Sequence, residues 1–100
     1  MDDELRWAIG SKRLIRVTYK SRTRVAEPHD YGLLNGTVKQ LVYQVSGASR
    51  TGVDRAIGWR LLEVSKIQRL VILDDTFPGS RGGAHRQHMK WDGLFARVAP

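Results

Sequence analysis

The residue types in this sequence that could bind a ligand are mainly cationic. The range Lys12–Arg24 holds six lysines and arginines and no acid. Arginine offers a planar fork of donors that suits phosphate, and lysine offers a point charge. A stripe that follows a phosphate backbone would form here if the polar faces of two strands align; its members are Arg16, Lys20, Arg22 and Arg24. The alternative is the solvated face of a half-exposed strand.

Aromatic residues could add a stacking surface for a base. Tyr31 lies beside His29 in an irregular extended segment, so Tyr31 is the better candidate for a platform of the kind that binds single strands. Tyr43 shares its period-two position with Leu41, which favours the core instead. Trp7 flanks the apolar stripe of a helix and is expected to pack at the helix edge.

Catalytic and metal-binding patterns are weak. The chain has no cysteine, and the pair His85 and His88 supplies only two ligands, which alone make a poor zinc site. Asp74 and Asp75 follow a strand and are typical of a turn. Loop hydroxyls have no histidine placed beside them by any motif; they are Ser46, Ser49 and Thr51. We therefore expect no enzyme, no metal and no cofactor.

Length and charge favour one small basic domain. One hundred residues carry a net charge of +7, which favours phosphate-bearing partners such as nucleic acid or nucleotides. The start Met1-Asp2-Asp3-Glu4 is acidic and no long apolar run follows, so neither a signal peptide nor a membrane span is expected. We expect a cytoplasmic protein that does not contact a membrane.

The elements that must hold these residues are one helix and five strands. Asp2–Ser11 is predicted to be helical, because Leu5, Ala8 and Ile9 repeat at helical spacing and Asp2 or Asp3 can cap its start. Asn35-Gly36 is typical of a two-residue hairpin turn. Turn chemistry also occurs at Ser21–Thr23. The predicted strands are Leu14–Lys20, Arg24–Leu34, Thr37–Ser46, Gly58–Val64 and Ile67–Leu73.

The predicted core uses the alternating residues of these strands. It comprises Ile15, Val17, Trp59, Leu61 and Ile67. If Leu61 instead faces solvent, the parity of its strand is inverted and its neighbour Arg60 points inward.

The remaining segments are a loop and a tail. Gly47–Ala56 lacks an apolar pattern and is long for a hairpin loop. From Gly79 the composition becomes linker-like, and His85–Arg97 is a candidate terminal helix with Met89, Leu94 and Phe95 as its apolar residues. This gives a compact domain over 1–78 and a Gly-rich basic tail over 79–100, weakly structured or helical.

The order of these features resembles the WYL domain. The matching residues are Ile15, Tyr19, Arg24, Pro28, Leu41, Trp59, Arg60, Leu61, Lys66, Ile67 and Phe77. The resemblance implies a mainly β fold, a small five-stranded Sm-like antiparallel barrel. Such domains usually follow a helix-turn-helix in bacterial transcription regulators, where they are thought to sense nucleotide or nucleic-acid ligands. Arg24, Arg60 and Lys66 are the cations at matching positions.

This sequence also departs from the family pattern. The Trp-Tyr-Leu run that names the family aligns here with Lys39-Gln40-Leu41, of which only the leucine matches. No helix-turn-helix segment precedes the first strand. The expected protein is thus a stand-alone, divergent member.

Two functions follow as hypotheses. The first is a non-enzymatic ligand-binding or regulatory module for a phosphate-bearing ligand, with a connection to transcription. Its expected binding residues are Arg24, His29, Tyr31, Arg60 and Lys66. The second is a domain that binds a partner protein or associates with itself, with the charge incidental.

Overall fold

The computed structural model describes residues 1–47, 57–82 and 89–100 of the chain. Over these residues the protein is mainly β, with one α-helix at its start. The elements in chain order are α1 (Asp2–Gly10), β1 (Arg13–Tyr19), β2 (Arg22–Leu34), β3 (Thr37–Gly47), β4 (Gly58–Glu63), a 3-10 turn (Val64–Lys66), β5 (Ile67–Thr76) and β6 (Gly93–Arg97).

Helix α1 forms as its apolar spacing predicts, and Leu5, Ala8 and Ile9 are all buried. Its first turn carries three acids, which the positive end of the helix dipole favours. The expected aspartate cap is wrong, because the cap position is Met1 and no side chain caps the turn. The carboxylate of Asp2 is instead bound by the hydroxyl of Tyr31, which donates to Asp2 Oδ1 at 2.6 Å.

The strands form one antiparallel sheet in the order β4-β3-β2-β1-β5, and β6 pairs with β2 beside this path. Strand β2 is the centre of the sheet, because it pairs with β1, β3 and β6. A bulge between Pro28 and Asp30 inserts His29 as an extra residue opposite β3. Bulges bend a strand and increase its twist, so β2 can pair with different strands along its length.

Two tight turns join the first three strands. Asn35 and Gly36 have φ values of 51° and 79°, which confirms the predicted hairpin between β2 and β3. The turn between β1 and β2 lies at Lys20-Ser21 and not at Ser21–Thr23, since both residues have positive φ and β2 already begins at Arg22. Non-glycine residues adopt this conformation only at a cost, and this explains why the predicted turn lies one residue later than the observed one.

The two outermost strands of the path approach each other. The three-residue 3-10 turn joins β4 directly to β5. Leu62 of β4 and Ile67 of β5 belong to one buried cluster with Ile15, Val17 and Val42. The sheet must therefore curl around this cluster. It is not closed, however, because β4 and β5 do not pair within the described residues; the expected five-stranded barrel is seen here as a curled, six-stranded antiparallel sheet.

Strand β4 has the opposite parity to the one predicted. Ile15, Val17 and Ile67 are buried as expected, but Leu61 is 38% exposed and Trp59 is only half-buried, whereas Leu62 is 2% exposed. We call the face that carries Val17, Val42 and Leu62 the inner face, and the opposite one the outer face. Arg60 lies opposite Val42 in the register and so belongs to the inner face.

Gly93–Arg97 form a strand, so the helix predicted over His85–Arg97 is wrong for these residues. Arg97 Nε and Nη2 donate to the two carboxylate oxygens of Asp30 at 2.9 and 3.1 Å, and Asp30 is fully buried. Val98 then enters the core, and its N–H donates to the carbonyl of His29 at 2.8 Å. A side chain at Gly32 would collide with the carbonyl of Gly93. The last strand is thus packed closely onto β2.

The described helix, α1, is too short to cross a membrane.

Candidate functional site

Three arginines share the inner face near the end of the first hairpin. Arg22 lies opposite Tyr19 and Arg24 lies opposite Val17, while Arg60 reaches the same face from β4. Residues that face one another across antiparallel strands point to the same side of the sheet. We call Arg22, Arg24 and Arg60 the inner arginine cluster.

Arg24 contacts both polar and aromatic side chains of the inner face. Its guanidinium is half-buried, Nη1 donates to Gln44 Oε1 at 3.4 Å, and the guanidinium carbon lies 5.7 Å from the centroid of the Tyr19 ring. Its Nε is buried and has no hydrogen-bond partner among the described residues. Burial, together with the nearby charges of Arg60 and Arg22, lowers the pKa of Arg24.

Two glutamines extend the polar character of the inner face along β3. Gln40 is 0% exposed and Gln44 is 1% exposed. Within the described residues, neither polar atom of the Gln40 side chain has a hydrogen-bond partner, and the same is true of Gln44 Nε2. Buried polar groups normally have partners, and waters often supply them. The inner face therefore keeps hydrogen-bonding capacity beside the arginines.

These glutamines were missed because the parity of β3 was assigned from its most apolar residues. The sequence carries a signal: Gln40, Val42 and Gln44 alternate and must share one face. Leu41, on the other face, is also buried at 1% exposure. Strand β3 is thus buried on both sides, and a strand of this type does not show the simple alternation that was assumed.

Tyr31 and His29 do not join the inner arginine cluster. Tyr31 is 5% exposed, and its ring packs edge-on against Phe95 at 5.1 Å between centroids. A base could stack on this ring only if Phe95 and the helix moved, so the structure does not present Tyr31 as a platform. His29 is fully buried, and its ring lies 4.8 Å from that of Trp59 and 5.7 Å from that of Phe77. Both residues instead contribute to packing.

Lys66 lies on the 3-10 turn, where β4 passes into β5. Its ammonium pairs with Glu63 at 3.4 Å and its side chain is exposed. The backbone N–H of Glu63 in turn donates to the hydroxyl of Tyr19 at 3.2 Å. Of the five predicted binding residues, the structure thus brings Arg24 and Arg60 together and places Lys66 on the neighbouring turn.

Among residues 1–47, 57–82 and 89–100, no group of three or more histidine or acidic side chains could hold a metal ion. His85 and His88 lie outside the described residues, as do Ser49 and Thr51.

Comparison with protein-family models, with curated proteins and with solved structures finds no match for this chain.

Proposed function

We propose that this protein is a non-enzymatic binding module that recognises a phosphate-bearing ligand, a nucleic acid or a nucleotide, through the inner arginine cluster. The observation that carries the proposal is the convergence of Arg22, Arg24 and Arg60 on one face, with the Nε of Arg24 buried and without a partner among the described residues. An arginine fork matches the oxygens of a phosphate group.

The electrostatics of the cluster support an anionic ligand. Like charges at short range repel one another, and burial raises the free energy of each charged group. Both effects act on Arg24, as the direction of its pKa shift indicates. A bound phosphate would supply an attractive interaction in place of this repulsion, because the guanidinium of Arg24 would then face an opposite charge and donate a charge-assisted hydrogen bond.

The proposed fold class is the Sm-like barrel implied by the WYL resemblance. Its support is the approach of β4 and β5, which share a buried cluster and are joined by three residues. A module of this kind would act as a ligand sensor in transcription regulation. Both the barrel and the regulatory role are proposals that go beyond the curled antiparallel sheet described above.

The test is fluorescence anisotropy with a short labelled oligonucleotide at several salt concentrations. Arg24→Ala and Arg60→Ala are each expected to weaken binding, and each lost phosphate contact should reduce the slope of log K against log salt by about 0.7 for a single strand. Arg24→Lys keeps the positive charge but loses the planar guanidinium, so its affinity should lie between that of Arg24→Ala and that of wild type. A competition with a nucleoside triphosphate separates nucleotide from polymer binding.

The matched control is Lys90→Ala, which removes one positive charge at an exposed position of the C-terminal segment. Lys90→Ala should leave the affinity within about twofold of wild type, because a charge outside the site acts only through screened solvent. Circular dichroism of every variant confirms that the domain is folded. If the folded wild-type protein binds neither the oligonucleotide nor the nucleotide at low salt, the proposal is wrong.

Self-association or binding of a partner protein is the second candidate. Its support is the exposure of large apolar side chains on α1 and β6, where Trp7 is 52% exposed, Leu94 41% and Phe95 38%. Sedimentation over a range of concentrations tests this candidate: a constant monomer mass rules out self-association, and a mass that rises with concentration supports it.

A further inference from the structure

A second group of cations lies on the outer face of the first hairpin. Thr18 of β1 faces Thr23 of β2 on one side and Arg69 of β5 on the other. Arg16 lies two residues before Thr18 and so points to the same side. Three neighbouring strands thus bring two guanidiniums and two hydroxyls to one surface, on the side of the sheet opposite the inner arginine cluster.

These side chains line a cavity of about 150 Å³, which we call the outer groove. Its lining residues are Arg16, Thr18, Thr23, Arg69 and Val71. The lining contains no acid. Neither Arg16 nor Arg69 forms an ion pair within the part of the chain that the structure describes. The groove therefore has two positive charges and two hydroxyl donors that face it without a competing carboxylate.

The hairpin turn beside the outer groove is hydrogen-bonded to β5. Lys20 and Ser21 both occupy the left-handed region, with φ of 51° and 62°. The N–H of Ser21 donates to Gln68 Oε1 at 2.8 Å, which ties the turn to β5. Left-handed backbone in non-glycine residues persists only where the surrounding structure imposes it, and such residues are common at ligand sites. The turn thus connects β1 and β2 and is linked to β5 beside the groove.

We propose that the outer groove binds a single phosphate group. Arginine forks and threonine hydroxyls can each donate to its oxygens, and the two guanidiniums balance its charge. The cavity volume limits the size of the ligand. Pockets that bind whole small molecules measure about 300–1,000 Å³. The outer groove, at about 150 Å³, is therefore large enough for one oxyanion and too small for an entire nucleotide. The phosphate is free inorganic phosphate or a backbone phosphate of a nucleic acid. This site does not depend on the inner arginine cluster.

The test is an NMR titration of the ¹⁵N-labelled protein with inorganic phosphate at low ionic strength. Saturable shifts are expected for the amides of Thr18 and Thr23 and for the side-chain Nε–H of Arg16 and Arg69. In the double variant Arg16→Ala/Arg69→Ala the affinity should fall by about tenfold or more, because two charge-assisted contacts are lost. Thr23→Val keeps the side-chain shape and should weaken binding less.

Lys90→Ala, which removes one positive charge outside the outer groove, again serves as the control and should titrate like wild type. The proposal is overturned if the folded wild-type protein shows no saturable shift at these residues, or if the double variant binds as tightly as wild type. Should the double variant fail to fold, Arg16→Lys with Arg69→Lys retains the charge, and the loss of the forks alone should weaken binding.

A second titration with a short oligonucleotide distinguishes the two sources of phosphate. If the oligonucleotide shifts the same amides and displaces inorganic phosphate, the groove accepts a backbone phosphate; if only inorganic phosphate shifts them, it binds the free ion. Arg24→Ala should leave the shifts that inorganic phosphate causes in the outer groove unchanged. If Arg24→Ala loses oligonucleotide binding but retains phosphate binding, the two sites act separately. The proposal for the outer groove can therefore fail while the proposal for the inner arginine cluster holds, and the reverse is also true.

Discussion

Removing Arg97 should destabilise the protein far more than removing an average surface arginine. Its guanidinium makes two hydrogen bonds, of 2.9 and 3.1 Å, to the carboxylate of Asp30, which is fully buried in the sheet. In Arg97→Ala the carboxylate remains buried and loses both bonds. Breaking a buried pair in this way costs about 3–5 kcal/mol. Because Arg97 itself is 41% exposed on its side-chain surface, water can replace part of the interaction, and we expect a loss near the lower end, about 3 kcal/mol.

The loss can be measured by urea denaturation followed through tryptophan fluorescence. Small domains have a total stability of about 5–15 kcal/mol, so a loss of this size should shift the midpoint clearly. Lys66→Ala is the control, since it breaks the exposed Lys66–Glu63 pair and should cost about 1 kcal/mol or less.

A companion variant separates the charge from the packing. In Asp30→Asn/Arg97→Ala the buried group is neutral, so the double variant should be less destabilised than the sum of the two single changes. If Arg97→Ala costs no more than Lys66→Ala, the Asp30–Arg97 pair does not fasten β6 to the sheet and the reasoning is refuted.

Three further predictions test the sheet and the start of the helix. Leu62→Ala should cost about 2–5 kcal/mol and Leu61→Ala on the order of 1 kcal/mol in urea denaturation; equal losses would contradict the parity of β4. Gly36→Val should cost about 1 kcal/mol or more, because φ is 79° there, and an unchanged melting temperature would argue against the hairpin. The Tyr31 hydrogen bond lowers the pKa of Asp2 from 3.8, so its stabilising effect is present above this pH and is lost as the pH falls through the lowered pKa. Tyr31→Phe should therefore lower the urea midpoint near neutral pH and make it less sensitive to acid below 3.8; an acid dependence equal to that of wild type would contradict this.

The sequence predicts the parts of the fold that depend on neighbouring residues. The Asn35-Gly36 turn and the alternation of Ile15 and Val17 are local signals, and the structure confirms both. Strand β4 is different, because Leu61 and Leu62 are adjacent and either could face the core. The register with β3, in which Val42 faces Arg60, makes that choice. No pattern within β4 contains this information.

The C-terminal strand could not be predicted for a related reason. Gly93–Arg97 is short, has no hairpin signal, and is held by Asp30, which lies 67 residues away. Its strand conformation comes from this distant partner and not from its own propensity.

The candidate site was predicted in outline only. Arg24 and Arg60 were chosen by type and resemblance, and the structure brings them together because β4 has the inverted parity. Tyr31 was chosen because its segment is irregular. That irregularity is a bulge, with Tyr31 two residues beyond it in the core, and a sequence cannot show on which side of the bend the ring will lie. Whether these arginines bind phosphate stays a prediction.

The position of β6 beside β2 also has a consequence for the folding kinetics. Hairpins closed by two-residue turns form within microseconds, whereas pairing over a long sequence separation must first overcome the entropy of loop closure. We therefore expect the hairpins β1-β2 and β2-β3 to be largely formed in the transition state, and β6 to dock after it. Arg97→Ala should then raise the unfolding rate and leave the refolding rate nearly unchanged. In stopped-flow measurements, only the unfolding limb of the chevron would move.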